Sequence, residues 1–331
     1  MAENRVFTQE ELDYLCIPPH IKLKDAVRLG DKEKAKHWLD VIFPLYTNAF
    51  DLRVKWDRRL TDKIYEEMGG EGIVDVWKYR GFTDEEINAM KIQQSDIDEM
   101  LGYIEADNRD AAEKWIDREY YKFNESHNVR IDWETRLKTY IYENLGEEKT
   151  WEVMRLVVED YYNPTMVGLL HHNFDFRYRV ESRIAGLMSH GMYCHAEEDD
   201  VKCRVIMTPC GSGTYLLEHH VYEAPKNYSL CKACPNTFGI DKFPIYCTHS
   251  PIQEMISIER FGWPNAVNTP YDLIDDPDYV FAKECCHFDI FKDPSLIPDR
   301  VYEMLGKKRP DTYEFPGYEG FIPERYADVI K

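Results

Sequence analysis

The sequence contains no long apolar run. No uncharged apolar stretch approaches the ~18 to 20 residues that a membrane-spanning helix needs. The longest candidate, residues 205–217, is interrupted by Pro209, Gly211 and Gly213. The first 15 residues also lack the basic and apolar regions of a secretory signal peptide. We therefore expect a cytoplasmic protein that has no membrane partner.

Basic residues are scarce relative to acidic ones. The 331 residues include 41 Lys and Arg against 61 Asp and Glu, which gives a formal net charge of −20. Binding to a phosphate backbone needs clustered Lys and Arg, so this charge argues against a nucleic-acid partner. The apolar fraction of 44% is sufficient for buried cores, and the length suits one large domain or two smaller ones.

Cysteine is plentiful, but its pattern does not suit a disulfide framework. There are nine cysteines, an odd number, and eight of them fall between Cys194 and Cys286. In a long chain without a secretory signal, clustered thiols indicate a metal site, a reactive thiol or both. The alternative is that several of them are simply small buried hydrophobic residues.

The first half of the chain contains an internal duplication with a constant offset of 77 positions. We assign it to residues 31–80 and 108–157, because one offset without gaps aligns a whole series of residue types. The aligned pairs include Trp38 and Trp115, Arg53 and Arg130, Trp56 and Trp133, Leu60 and Leu137, Ile64 and Ile141, and Gly69 and Gly146.

Each unit carries an apolar residue at every fourth position, which forms one helical stripe. The stripes are Leu52, Trp56, Leu60, Ile64 and Met68, and Val129, Trp133, Leu137, Ile141 and Leu145. Gly69 and Gly146 follow at positions suited to a left-handed helix C-cap. The pattern predicts duplicated N-terminal helical hairpins that bury their stripes against each other. Arg59 and Arg136 would then lie on solvated faces, or alternatively form a paired anion clamp.

Further helices are predicted around these units. The spacing of Thr and Glu at 8–11 and at 83–86 is that of a capping box at a helix start. Another helix is predicted over about 167–188. It would place His171 and Asp175 on one face, where they could hold a metal or relay a proton, or simply be solvated.

Short segments of strand composition follow residue 190. They are 201–207, 214–222, 243–247 and 279–292, with an acidic turn at 196–200 and a short helix at 251–260. This order predicts an α+β fold, in which a mostly antiparallel sheet carrying a cysteine-rich site follows the helices. The corresponding division is a helical region (1–190), a cysteine-rich domain (191–300) and a C-terminal tail (301–331).

The first cysteine motif is PCGSG at 209–213. Glycines around Cys210 would expose backbone N–H groups to the sulfur, lower the pKa of the thiol and make it a metal ligand or a catalytic nucleophile. The alternative is a tight hairpin that buries the cysteine.

The second motif is YCTH at 246–249. Cys247 and His249 are two apart on a segment expected to be extended, so both could reach one ion, and zinc accepts both ligand types. Glu254 follows one turn later and could act as acid or base, support a ligand, or be a surface charge.

The third motif is CCHFD at 285–289, in which Cys286 shares the buried strand face and is the preferred ligand over Cys285. In addition, Cys231 and Cys234 form a CxxC pair. Together with Cys247 and His249 they would make a structural zinc ribbon, which stays an alternative arrangement.

These motifs occur in an order that resembles a group of bacterial proteins of unassigned function, whose pattern is EEDD…PCGSGG…TFG…YCxHC…CxF. The resemblance covers about 197–292 and also includes Glu254. More distantly, the layout is similar to vinyl-reductase-type small-molecule-binding domains and to the L-2-amino-thiazoline-4-carboxylic acid hydrolase group.

Two positions depart from that pattern, since Ser250 replaces the second cysteine of YCxHC and Thr214 the last glycine of PCGSGG. If the resemblance implies a four-cysteine centre, one ligand is lost here. His249 or Cys234 could replace it, or the ion keeps the open position that catalysis requires. An iron–sulfur cluster held by three thiolates, with one iron free, would need the same number of cysteine ligands.

Taken together, the motifs predict a metal-dependent enzyme that acts on a small organic molecule. The expected ligands of its zinc or iron are Cys210, Cys247, His249 and Cys286, with Cys234 in reserve. Metal-activated water would cleave a C–N or C–S bond with Glu254 moving the proton, although the bond type comes only from distant resemblance. The alternatives are a small-molecule or redox sensor with a structural zinc, and an iron–sulfur enzyme of reductive or lyase chemistry.

Aromatic residues of the duplicated half provide one further expectation. Tyr120, Tyr121, Tyr161 and Tyr162 would either contribute to a homodimer face or line the core between the two regions.

Overall fold

The computed structural model describes residues 4–189, 193–283 and 286–313 and has an α+β fold. The helices are α1 Gln9–Leu15, α2 Pro19–Leu29, α3 Lys32–Trp77, α4 Asp84–Ala89, α5 Gln94–Glu105, α6 Arg109–His171, α7 Phe176–Met188, α8 Gly213–Glu218, α9 His249–Phe261 and α10 Asp299–Met304. The strands are β1 Cys194–Glu198, β2 Lys202–Met207, β3 Leu230–Cys231, β4 Phe243–Pro244 and β5 His287–Phe291. The predicted fold class is therefore confirmed.

Two long helices, α3 and α6, pack against each other and dominate the first half. They start at equivalent positions of the 77-residue offset, where Asp31 and Asn108 each cap the helix by accepting a hydrogen bond from the backbone N–H three residues later. Side-chain acceptors at this position satisfy N–H groups that have no partner within the helix.

Gly69 and Gly146 mark a break within each long helix. They have the expected positive φ values, 67° and 83°, and each separates two helical segments. Their ψ values of −161° and 178° differ from those of a left-handed C-cap. Each unit therefore contains two helical segments joined at a glycine, and the duplicated hairpins stay a prediction.

The apolar stripes of α3 and α6 lie in the main hydrophobic core. Trp56, Leu60 and Ile64 of α3 are buried, as are Trp133, Leu137 and Ile141 of α6. The same cluster continues into the sheet through residues such as Cys203, Val205 and Ile290. The proposed division near residue 190 is thus bridged by one continuous core.

The main sheet is antiparallel, with strand order β1–β2–β5. On β2, Cys203, Val205 and Met207 are buried and alternate with half-buried residues, as the period of two predicts. β3 and β4 form a separate two-stranded pair.

Several predicted elements need correction. Residues 214–222 do not form a strand, since their short apolar run lies in α8. A short apolar run is compatible with a strand or with a buried helix, so the pattern did not distinguish them. The acidic segment 196–200 lies partly in β1 rather than in a turn. Of the described residues in the segment 279–292, only His287–Phe291 are strand. The helix 167–188 is interrupted, because Asn173 and Phe174 have positive φ.

The same interruption separates the predicted His171 and Asp175 pair. His171 ends α6, whereas Asp175 is the N-cap of α7, so the two residues do not share a helix face. By contrast, both predicted capping boxes are present, at the starts of α1 and α4.

None of the described helices combines the length and the apolar character of a membrane span. Of the predicted tail, the described part ends at Tyr313, and residues 314–331 lie outside the described residues, as do His190 and Cys285.

Candidate functional site

A cavity of about 260 Å³ lies where α3, the end of α6 and α7 meet the cysteine-bearing segments. Its wall combines aromatic and apolar side chains with a few polar groups, which is the usual character of a small-molecule site. The lining includes Trp56, Tyr161, Tyr162, Arg183, Cys210, Tyr246, Cys247, His249, Ser250, Asn268, Phe281, Cys286 and Phe288.

Three cysteines from separate segments meet at this cavity. Cys210 lies in the loop before α8, Cys247 in a 3-10 turn before α9, and Cys286 directly before β5. A Cβ atom added to Gly213 would lie 2.9 Å from Cys247 Sγ and 3.9 Å from Cys210 Sγ. Since even an alanine would press on the Cys247 sulfur, the glycine leaves room for the sulfurs to approach.

The Cys210 sulfur is stabilised as a thiolate. The Cys286 thiol donates towards it, and the backbone N–H groups of Ser212, Gly213 and Thr214 add to the effect, so that the pKa of Cys210 falls to about 6 in spite of its burial. The Gly213 N–H lies 3.3 Å from the sulfur. Thiolates, rather than thiols, bind metals and act as nucleophiles.

The two other thiols have the opposite tendency. Burial raises the pKa of Cys247, and the charge on Cys210 raises it further. The hydrogen bond to Cys210, followed by burial, raises the pKa of Cys286. In the absence of a cation, the group therefore carries its negative charge on Cys210, since like charges in one site oppose each other.

His249 is the first residue of α9 and lines the same cavity. The segment from Cys247 to His249 is a 3-10 turn entering a helix rather than the expected extended chain. The Nδ1 atom lies 2.8 Å from the carbonyl oxygen of Tyr246 and must donate to it, which leaves Nε2 unprotonated. Burial lowers the pKa of His249 to about 4, so the ring is neutral and Nε2 is available as a ligand.

Glu254 is buried on α9 but is not part of the cavity lining. Its Oε1 atom accepts hydrogen bonds from the backbone N–H groups of Asn268 and Thr269, and its Oε2 atom accepts one from the Thr269 hydroxyl. Burial raises the pKa of Glu254 to about 8. Its contacts hold the segment from which Asn268 reaches the cavity, so its connection to the site is indirect.

The three sulfurs do not all lie within 4.8 Å of one another, since they are missing from the metal-compatible groups of the described residues. A tetrahedral zinc ion with Zn–S bonds of about 2.3 Å would bring its sulfurs to about 3.8 Å. The ligand atoms of the alternative zinc ribbon do not form a compact group either, because among the described residues no three of them lie within 4.8 Å of one another. Cys234 also lies outside the cavity lining.

Another compact group, Asp272, His287 and Asp289, was not predicted as a metal site, although the CCHFD motif contains two of its members. The Asp289 carboxylate already pairs with Lys202 and Arg204, at 2.6 Å in each case. These two cations compensate the negative charge that would attract a metal ion, so the group is better described as a partly buried ion-pair network.

Arginine residues in the cavity wall were also missed. They are Arg53, Arg179 and Arg183. The spacing of four between Arg179 and Arg183 puts both on one face of α7, which is a signal that the sequence contained. Of the four tyrosines considered above, Tyr161 and Tyr162 line the cavity, and a homodimer face stays a prediction.

Comparisons of the chain with protein-family models, with curated proteins and with solved structures found no match. The family resemblance of the cysteine motifs therefore stays a prediction.

Proposed function

We propose that this protein is a cytoplasmic metal-dependent enzyme that acts on a small organic molecule. Its zinc or iron would be held by Cys210, Cys247 and Cys286, and His249 would exchange with water at the fourth position. The observation that carries the proposal is the meeting of three thiols and an unprotonated imidazole nitrogen at one cavity, although they come from separate segments.

The cavity itself favours an enzyme over a protein with a purely structural zinc. Structural sites are closed by four protein ligands, whereas catalytic sites leave a position for water or substrate. Here the thiols border a space of about 260 Å³. Ser250, which stands where the resembled pattern has a cysteine, also lines that space and is a weaker ligand than a thiolate.

The reaction that we propose is hydrolysis of a C–N or C–S bond. A bound zinc or iron ion would supply Lewis acidity to water or to the substrate. Cys210 contributes the thiolate, its backbone N–H donors stabilise that charge, and the aromatic wall limits the access of bulk water. Glu254 acts in this proposal as a positioning residue, because its hydrogen bonds hold the segment that carries Asn268.

An iron–sulfur cluster is the second candidate. The sulfur spacing favours it, since the three thiols are spread more widely than one tetrahedral ion requires. Three thiolates with one further iron position would suit reductive or lyase chemistry.

Metal analysis and an absorption spectrum of protein purified without oxygen test both candidates. We expect bound metal in the wild type and its loss in Cys210→Ser. Visible charge-transfer bands would favour the cluster, and a colourless protein with one zinc would favour the first candidate.

The matched control is Cys203→Ala, because Cys203 is a buried cysteine on β2 outside the cavity lining. This variant should keep its metal. Full metal occupancy in Cys210→Ser, or a metal-free wild type after reconstitution with zinc and with iron and sulfide, would overturn the proposal.

A further inference from the structure

The charge of the cavity wall is opposite to that of the whole chain. The lining residues include Arg53, Arg179 and Arg183, while no Asp, Glu or Lys belongs to the lining among the described residues. The chain as a whole has a formal charge of −20. A cationic wall in such an acidic protein requires a local reason, and an anionic ligand would supply one.

Two of the three arginines have structural partners. Arg53 donates to Glu134 Oε2 at 2.7 Å. Arg179 donates to backbone carbonyl groups, with 2.7 Å to the oxygen of Phe291 and 3.1 Å to that of Phe174. Their guanidinium groups are thus engaged in holding the walls of the cavity together.

Arg183 differs from both. Its guanidinium carbon lies 4.4 Å from the ring centroid of Phe288, which also lines the cavity. Within the described part of the chain it makes no hydrogen bond and no ion pair, and the nearby charged or titratable groups are Tyr161, Tyr162 and Glu254. The oxygens of Glu254 are occupied by Asn268 and Thr269.

The guanidinium of Arg183 therefore presents donors without a partner among the described residues at the wall of the cavity. Five N–H groups in a planar fork match a carboxylate, which they can bind through two parallel hydrogen bonds. A phosphate carries more charge and more oxygens, and usually recruits several cations. One unpaired arginine in a small aromatic cavity suits the single charge of a carboxylate better.

We propose that Arg183 binds the carboxylate of a small organic acid in this cavity. The inference deepens the proposed function, on which it rests for the reaction, because it places an acid substrate with its charged end on α7 and its body towards the cysteines. Phe281, Phe288 and Leu187 provide apolar surface for that body. The stacking of Phe288 on Arg183 would hold the guanidinium in place.

Isothermal titration with benzoate, acetate and nicotinate, and with uncharged benzamide, tests the proposal directly. We expect at least one carboxylate to bind the wild type, and benzamide to bind more weakly than benzoate. Arg183→Gln should weaken carboxylate binding about 10- to 100-fold, because a charge-assisted bidentate contact is lost. The carboxylate affinity of Arg183→Lys should lie between that of the wild type and that of Arg183→Gln, since lysine keeps the charge but not the planar fork of donors.

Arg177→Gln is the matched control on the same helix. Arg177 pairs with Glu11 and Glu181 on the surface, so its loss should leave carboxylate binding unchanged. Metal content is measured in every variant, and Arg183→Gln should keep the wild-type value.

The outcomes separate the two proposals. A wild type that binds none of the carboxylates, or an Arg183→Gln variant that binds them like the wild type, overturns the Arg183 assignment. Carboxylate binding that is lost in Cys210→Ser but kept in Arg183→Gln also overturns it, because the metal would then be the binding group. Tighter binding of inorganic phosphate than of any carboxylate overturns the substrate class. Arg183-dependent binding in a protein without metal supports this inference while the metal proposal fails.

Discussion

In the long helices α3 and α6, the residues that meet in the core lie four positions apart in the sequence, as Trp56, Leu60 and Ile64 do. In the cavity, the residues that meet are Cys210, Cys247 and Cys286, which come from distant segments. The helical part is thus specified by a local repeat, whereas the site exists only after the segments have packed. We therefore expect the two parts to respond to different kinds of substitution.

The two regions are connected by a buried ion cluster. Glu134 of α6 pairs with Arg53 at 2.7 Å and with Lys138 at 2.6 Å. Lys138 also donates to the carbonyl oxygen of Tyr246, at 3.4 Å, which carries the cluster into the cysteine-bearing region. Burial opposes ionisation of Glu134, but its two cationic partners lower the pKa of the carboxyl group.

The largest effect is expected from Glu134→Gln. The substitution leaves Arg53 and Lys138 without their counter-charge in a buried site, and such a loss costs about 3 to 5 kcal/mol of unfolding free energy. Urea denaturation measures the change. The control is Asp132→Asn, since Asp132 is also on α6 but forms a partly exposed ion pair with Lys226. Its loss should lower the free energy of unfolding by about 1 kcal/mol or less. Equal losses in the two variants would contradict a special role for the buried cluster.

An intermediate effect is expected from the pH dependence of Glu254. The pKa of this carboxyl group is about 8 in the folded chain, against 4.5 as its ordinary value. Between those values the folded chain holds a proton that the unfolded chain has lost. The stabilisation is therefore complete below pH 4.5 and is lost as the pH rises towards 8, by roughly 1.4 kcal/mol for each pH unit.

Glu254→Gln should remove this slope, because the amide oxygen can still accept from Asn268 and Thr269 but does not ionise. Buried histidines such as His20, with a pKa lowered to about 4, give the opposite slope below pH 6.5. The quantity to compare is thus the difference in the free energy of unfolding between variant and wild type, measured by denaturation at several pH values. Glu259→Gln on the same helix should leave the wild-type slope intact, and a similar change in both variants would argue against the assignment.

The smallest effect is expected at the break in α3. Gly69 has φ 67° and ψ −161°, a conformation that is essentially restricted to glycine, and an added Cβ would meet nothing within 4 Å. Gly69→Ala should therefore cost about 1 to 3 kcal/mol through backbone strain alone. Gly70→Ala, in regular helix with equally open space, should be stabilising by about 0.5 to 1 kcal/mol. Thermal unfolding distinguishes the two, and a loss of stability in both would mean that the break is not set by Gly69.

Much of the helical part could be predicted from the sequence. The stripes, the two capping boxes and the positive φ of Gly69 and Gly146 depend on residues within a few positions of each other. The duplicated hairpins stay a prediction. A Cβ atom added to Gly72 would lie 3.1 Å from Ile64 Cγ2, whereas a straight helix separates residues eight apart by about 12 Å along its axis, so the chain turns sharply at Gly69. Pattern alone does not give the direction of the segment after each glycine, since that direction is decided by what the segment packs against.

The site could be predicted only in part. The three thiols and His249 were found because their motifs are short and distinctive. Arg183 was not found, because an arginine on a helix is usually solvated. That it has no partner in the described part of the chain is visible only once the surrounding residues are placed. Glu254 was expected at the reacting centre, but its oxygens are taken up by Asn268 and Thr269.

The sequence by itself determined the helical periodicity, the helix starts and the identity of the sulfur ligands that we propose, because these depend on local spacing and side-chain chemistry. Only the tertiary structure decided which side chains meet, how far apart the sulfurs lie, and which arginine beside them has no partner within the described residues. Packing brings segments together through hydrophobic burial, which is not directional, so the partners of a buried polar group follow from the whole arrangement of the core.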